Sequence, residues 1–586
     1  MEAPEIVREW VFSESHNEGW EKFVTELGIS PVTARILYRR GMRDLDEVDA
    51  FLNPSLKHLH DPFLMKGMRR AVREVLRSID SGERIVVHGD YDVDGICSVG
   101  VLYGFLKELG ADVHYYIPQR SQDGYGLNVD TVRQFHTEGV DLIITTDCGI
   151  SNHSEIKVAR TLGMRVVVVD HHTIPDVLPN AHAILNPLQT DCKFPFKGLA
   201  AVGVTFNYVI GIRSELRKRG IFKLIPEPDL KQYLDLVALG TVADVVPLVD
   251  ENRIFVRLGL EVLAARRRAG VSALMDRAAV EVGPITTRTI GFRLAPRLNA
   301  AGRMADASIC VELLTTTSYG RATEIAEELE SLNKARQGEE REILGSAYEQ
   351  AATQAADNRR ILVVFGHDWN RGVLGIVASR LMERYHRPAI LMGVEGGFAK
   401  GSARSIQGIN VVDVLSNASD CLTSFGGHSS AAGLSLQEDQ LDRFQVLVDE
   451  AMENLFAKGP LPQPRLEIDA IVSLGEVDEK FQSDLALLAP FGAGHPEPML
   501  MTEKSRAVSV KVVGNKHLRV RFRDETGSMD GFGFAMGDEV GTLDGAVAIA
   551  FIPRFAYSGT RSRLEIQIKG MKPHAESAVD LFQEEE

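Results

Sequence analysis

From residue 85 the chain repeats a unit that leaves few folds open: a short, unbroken apolar run, then a stretch of helical spacing. The runs are IVVH (85–88), VHYYIP (113–118), LIITT (142–146) and VVVV (166–169), separated by CSVGVLYGFLKELG, VDTVRQFHTEG and SEIKVARTLG. A run of β-branched residues without polar alternation suits a strand buried on both faces. Intervening helices of about 10–15 residues supply the crossovers, so a parallel sheet covered on both sides is expected. In such a sheet, residues just past the carboxyl ends of the strands face the crevice where ligands bind.

Those positions carry acids and imidazoles. The first strand runs into HGDYDVDG (88–95). This is not a calcium loop of the EF-hand type. Position twelve counted from Asp90 is Val101 rather than an acid, and a strand precedes the loop where an EF-hand needs a helix. The stretch parses better as His88, Asp92 and Asp94 at a strand end. Asp147 follows LIITT, Asp170-His171-His172 follow VVVV, and Asp244 follows an apolar helical segment in GTVADVVPL. Each alone reads more simply as a helix N-cap aspartate or a hydrogen-bonded core histidine. Together they would repel one another, raising their pKa values, unless cations neutralise them. Imidazole with carboxylates suits manganese, iron or zinc, whereas pure oxygen sets suit magnesium and calcium.

The surrounding chain divides by composition. Residues 1–75 form a helical lead-in and 76–319 the first α/β domain. The charged, proline-free stretch 320–357 reads as one connecting helix, or as two surface helices broken near Gly338. A second α/β domain spans 358–458. After a proline-rich linker, residues 464–572 carry strand-like runs (RLEIDAIV, SVKVV, HLRVRF, AVAIAFI, RLEIQIK) with Gly514-Asn515 in a hairpin turn. They suggest a small barrel of the OB-fold type. Residues 573–586 form an acidic tail, expected to be disordered.

In HLRVRFRD, Arg519, Arg521 and Arg523 alternate with Leu518, Val520 and Phe522, which puts the cations on one strand face. Beside Lys511 and Lys516 they read as a track for a phosphate backbone or as a solvated face. Few aromatics lie in these runs, so backbone contact rather than base stacking is expected.

A formal net charge of -16 argues against a generally basic nucleic-acid-coating protein, although a local basic groove is enough to guide a polyanion. Five scattered cysteines without C-x-x-C spacing point to a reducing compartment. No signal peptide or bilayer-length apolar run is visible, so a cytoplasmic location and no membrane contact are expected.

HGDYDVDG, TTDCG, DHH and GTVADVVPL, in this order, resemble the motifs of the DHH phosphoesterase superfamily. RSQDGYGL (120–127), APRLNAAGRMADA (295–307), GVLGIVASRL (373–382), GSARS (401–405) and FGGHSSAAG (425–433) narrow the resemblance to its single-strand-specific 5′→3′ DNA exonucleases. It covers nearly the whole chain. Val93 departs from the alanine more usual there, leaving every ligand in place.

The resemblance implies a parallel-sheet DHH domain, a DHH-associated lobe beyond a long helix, and a terminal OB-fold-like barrel. It implies two divalent cations, Mn2+ or Mg2+. One would be held by His88, Asp92 and Asp147, the other by Asp94, Asp147, His171 and Asp244. Asp170 would orient a ligand, and His172 would face the substrate phosphate or leaving oxygen. Ser402, Arg404 and His428 would read the terminal phosphate or line the substrate path, and Arg120 and Arg297 would hold the strand; the alternation on the barrel strand adds Arg519 and Arg521 as contacts to it. The implied activity is removal of 5′-mononucleotides from single-stranded DNA in repair and recombination. Implied partners are a single-stranded-DNA-binding protein and a repair helicase, around a monomer. Two alternatives remain: a phosphodiesterase for short RNAs or cyclic dinucleotides, and a non-catalytic DNA-binding scaffold. The lead-in, the barrel and the APRLNAAGR segment weigh against the first, and the intact ligand set weighs against the second.

Overall fold

The computed structural model describes residues 8–12, 19–120, 124, 126–456, 459–514, 516–558 and 561–574. Its first lobe is built on a five-stranded, wholly parallel sheet in the order Val113–Tyr116, Ile85–His88, Leu142–Thr146, Arg165–Val169, Ala183–Leu185. The last strand adds an edge to the four read from the sequence. Side chains alternate between the faces, as a pleat requires. Val87, Ile144 and Val167 pack under helices Met68–Ser81, Val93–Glu108 and Ala201–Lys218. Val86, Ile143 and Val166 pack under Val129–Thr137 and His153–Thr161. All the loops at the carboxyl edge therefore open toward the same side.

Tyr319–Ala356 is one uninterrupted helix, passing through Gly338 without a break. It leads to a second lobe whose mixed sheet runs Leu422–His428, Ala431–Gln437, Phe398–Arg404, Ala389–Glu395, Leu362–His367. Helix Arg371–Tyr385 covers one face of that sheet and Leu441–Leu455 the other.

The terminal unit is a closed barrel of Leu500–Val513, His517–Arg523, Ser528–Gly533, Ala546–Ser558 and Arg561–Pro573. Two details differ from the sequence reading. RLEIDAIV is no barrel stave: it splits into Arg465–Glu467, paired with Glu9–Val11, and Ala470–Ile471, paired with the start of the first stave. The stave Ser528–Gly533 was hidden by its glycines. A Cβ on Gly533 would lie 2.7 Å from Met536 Sδ, and one on Gly531 3.1 Å from Ile566, so small residues are needed where strand-formers would have signalled a strand. Asn515, expected in the hairpin turn, and the tail beyond 574 lie outside the described residues.

The first lead-in helices, Glu21–Leu27, Pro31–Arg39 and Leu45–Leu52, take their core from the barrel unit. They touch the first lobe where Arg253 donates to the Phe51 carbonyl at 2.9 Å, whereas the end of the lead-in runs into helix Met68–Ser81 of the first lobe. Phe23, Val32, Ile36 and Val48 share a core with Phe481, Leu485, Phe522 and Phe551. Arg40 clamps Asp469 with two hydrogen bonds of 2.9 Å. No described helix is long and apolar enough to cross a membrane.

Candidate metal centre and arginine-lined cleft

The carboxyl edge of the parallel sheet gathers the expected acids and imidazoles. His88 ends its strand fully buried, with Tyr116 stacked on its ring at 5.5 Å. Asp92 caps the next helix, its Oδ1 accepting from the Gly95 N–H at 3.0 Å. A Cβ on Gly95 would strike the Asp90 backbone at 2.6 Å, so the closing glycine of HGDYDVDG is what lets the loop fold tightly. Asp94, in the first helical turn, accepts from Ala201 N–H (2.7 Å) and Val202 N–H (2.9 Å), the amino end of helix Ala201–Lys218. A helix amino end favours an anion there. Asp147 adopts φ +62°, in the left-handed region that a non-glycine residue enters at a cost of order 1–3 kcal/mol. That turn points its carboxylate into the cluster.

His171 Nε2 lies 3.3 Å from Asp147 and 4.0 Å from Asp94. Its Nδ1 faces the Leu199 carbonyl at 3.2 Å, which places the proton on Nδ1 and leaves Nε2 as a donor toward a metal. Asp244 ends helix Leu234–Ala243, and its Oδ2 has no hydrogen-bond partner among the described residues. Potential ligand atoms of Asp94, His171 and Asp244 fall within 4.8 Å of one another, as do those of Asp147, His171 and His172, and those of Asp90, Asp92 and Asp147. Asp90, absent from the expected ligand set, thus stands within ligand range, whereas His88 belongs to none of these three groups.

Electrostatics agree with a site made for cations. Burial, then the charges of Asp244 and Asp92, raise Asp94 well above the usual carboxylate range. Burial and Asp92 do the same to Asp147, raise Asp244 to about 7 and take Asp90 to about 8. Burial and the neighbouring His172 lower His171 to about 4, so it is neutral, as a ligand must be. Hard carboxylate oxygens with imidazole, a carboxylate oxygen lacking a partner, and four crowded carboxyl groups whose pKa values are all raised fit two divalent ions of the Mg2+ or Mn2+ type.

Asp170 is occupied otherwise. Its Oδ2 accepts from Ile150 N–H, and its Oδ1 from the His171 and His172 amides and from His172 Nδ1 at 2.7 Å. Burial disfavours charge on both partners. Their mutual hydrogen bond outweighs it, holding Asp170 low and raising His172 to about 9.

Beyond these acids a cleft of about 1150 Å³ opens between the two lobes, lined by Arg120, Arg303, Trp369, Arg371, Lys400 and Ser402. Arg120 lies 5.3 Å over the Tyr91 ring, joining cleft to metal loop. Arg404 hydrogen-bonds the adjacent Ala403 carbonyl, and burial lowers its pKa. His428 shares a cross-strand row with it, through Ala431. Arg297 is held by Glu330 at 2.7 Å and Arg521 by Asp530 at 2.6 Å, while Arg519 faces Glu565 at 3.6 Å.

Arg303 was not among the expected residues. Burial and the charges of Arg120, Arg336 and Arg404 bring its pKa down to about 10, and its guanidinium bonds the Gly372 carbonyl. Its signal lay in the preceding glycine: a Cβ on Gly302 would come 2.3 Å from the Tyr91 carbonyl, so Gly302 lets this helix dock on the metal loop. Helix Arg371–Tyr385, which carries GVLGIVASRL, contributes likewise. A Cβ on Gly375 would sit 2.8 Å from Arg404 Nη2.

Comparison with known proteins agrees with this layout. Residues 84–241 match the DHH family N-terminal domain, 358–454 the DHHA1 domain and 468–570 the RecJ OB domain. The chain is 38% identical to the single-stranded-DNA-specific exonuclease RecJ of Salmonella typhimurium, over 86% of this chain and 89% of that one. It is 37% identical to that of Bacillus subtilis, over 90% of this chain and 66% of the relative. The crystal structure of RecJ with Mn2+ from Thermus thermophilus superposes with a TM-score of 0.83 at 30% identity, covering 98% of this chain and 80% of that one. The same relative has also been solved with Mg2+. A likeness that runs through lead-in, both lobes and barrel, at this identity, means that the chain belongs to the RecJ family of DHH phosphoesterases.

Proposed function

We propose that this chain is a single-stranded-DNA-specific 5′→3′ exonuclease that uses two divalent cations and releases 5′-mononucleotides in DNA repair and recombination. The observation that carries the reading is the juxtaposition of an acid–imidazole cluster with an arginine-lined cleft between two lobes. His88, Asp92 and Asp147 would hold one ion, with Asp90 beside them; Asp94, Asp147, His171 and Asp244 would hold the other. When bound, such a pair activates water and neutralises charge developing on the phosphate. The residues of the chain do the rest. Asp170 holds the His172 ring, whose proton faces the developing charge. Arg120, Arg303 and Arg404, with Ser402 and His428, would seat the terminal phosphate, and Arg297 would steady the strand. Arg519 and Arg521 would hold the strand where it crosses the barrel.

The cleft is bounded by both lobes, which suits an unpaired strand threaded end first. A helicase that opens duplex DNA and a protein that coats single strands are therefore the partners we propose, in the cytoplasm, with the chain acting as a monomer. The test is product length on a long 5′-phosphorylated oligonucleotide with Mn2+. Mononucleotides should appear progressively from the 5′ end. Cleavage confined to oligonucleotides of a few residues, or starting at the 3′ end, would sink the reading.

A further inference from the structure

We propose that Phe534, Phe532 and His517 form a stacking platform for unpaired nucleobases on the outer face of the barrel. The inference rests on the reading of the substrate as single-stranded DNA and deepens it. Along His517–Arg523, Leu518, Val520 and Phe522 point into the barrel, so His517 and Arg519 point out. The ladder sets Lys511 opposite Arg519 and Arg519 opposite Phe532, a row of two cations and one aromatic across three strands. His517 and Phe534 lie beside that row. Ring centroids are 4.7 Å apart for Phe532 and Phe534, and 5.7 Å from His517 to each.

Phe534 is 61% exposed and is held that way. The next residue, Ala535, takes φ +56°, strained for a residue with a Cβ, and its N–H donates to His517 Nδ1 at 3.1 Å. Met536 then turns back into the core. A strained turn that presents a phenyl ring to water costs stability, and a base stacked on the ring would recover it. Three rings offer well under the roughly 800 Å² per partner of a stable protein interface. Aromatic faces flanked by cations match a polymer that alternates bases with phosphates. Arg521, engaged by Asp530, contributes less than Arg519 and Lys511. The platform departs from the expectation of backbone contact alone, because the sequence separates His517 from Phe534 by a whole hairpin arm.

The experiment measures binding by fluorescence anisotropy on the full chain in EDTA, with an oligo-dT strand and an abasic strand of equal phosphate count. Phe534→Ala should weaken oligo-dT binding about tenfold and leave the abasic strand unchanged, while Phe534→Trp restores affinity. Equal affinity of wild type and Phe534→Ala for oligo-dT, or equal loss on both strands, overturns the platform. Because no metal is present, the readout is independent of hydrolysis. A wild type that binds oligo-dT but releases no mononucleotides with Mn2+ would instead remove the exonuclease reading and leave the platform standing.

Discussion

Asp170 Oδ1 accepts the Nδ1 proton of His172 at 2.7 Å, and the same oxygen takes both following backbone amides. An oxygen so engaged suits a holder of imidazole better than a ligand for a cation. Asp170→Asn should therefore lower kcat roughly 10- to 100-fold while titration calorimetry still counts two Mn2+ ions. A drop to one ion would make Asp170 a ligand.

Asp147 is central to the cluster and crowded by Asp92, Asp94, Asp90 and Asp244. Asp147→Asn should abolish hydrolysis and Mn2+ binding yet raise the melting temperature in EDTA, since it removes buried like-charge repulsion. A gain of about 1 kcal/mol corresponds to roughly 2–4 °C. A lower melting temperature in EDTA would show that the carboxylate supports the fold.

Asp90 lies within ligand range of Asp92 and Asp147 but takes no part in the expected ligand set. If it is only a neighbour, Asp90→Asn keeps two Mn2+ ions and weakens their affinity less than Asp92→Asn does. Loss of one ion in Asp90→Asn would place it in the coordination sphere in place of His88.

The two glycines of the cleft should separate phosphate recognition from packing. Gly375→Ala pushes only the tip of a flexible arginine, so KM for 5′-phosphorylated strands should rise with the melting temperature nearly unchanged. Gly302→Ala meets a backbone carbonyl and should cost roughly 1–3 kcal/mol of stability. Equal KM effects with and without the 5′-phosphate would contradict the role given to Arg404.

His495 gives a pH signature for the contact between lead-in and barrel. Its Nδ1 accepts from Arg40 at 2.9 Å and its Nε2 faces the Leu488 carbonyl at 2.8 Å, so the ring is neutral. Burial, with Arg40 and Arg253, lowers its pKa to about 3 from an ordinary 6.5. The unfolded chain binds the proton first. The stabilisation is complete above pH 6.5 and is lost as pH falls from there toward 3. Denaturant melts of wild type and His495→Asn should converge by up to about 1.4 kcal/mol per pH unit in that window. A pH-independent gap would refute a neutral, buried His495.

Much of this was written along the chain. Unbroken apolar runs such as LIITT need burial on both faces, which forces the parallel sheet, and the residues that follow each run must then meet at one edge. That Asp92, Asp94, Asp147, His171 and Asp244 meet at one edge was legible because strand ends are local patterns. What the sequence could not show is which distant surfaces close on one another. The first lead-in helices belong to the barrel unit because Phe23 and Val32 complete the core around Phe481, though several hundred residues lie between them. Arg303 joins Arg120 and Arg404 only because Gly302 allows a close helix approach, and Phe534 meets His517 only across a hairpin. Periodicity records which face of an element is buried. The partner for that face is chosen by shape and charge in three dimensions, and tertiary structure alone decided it.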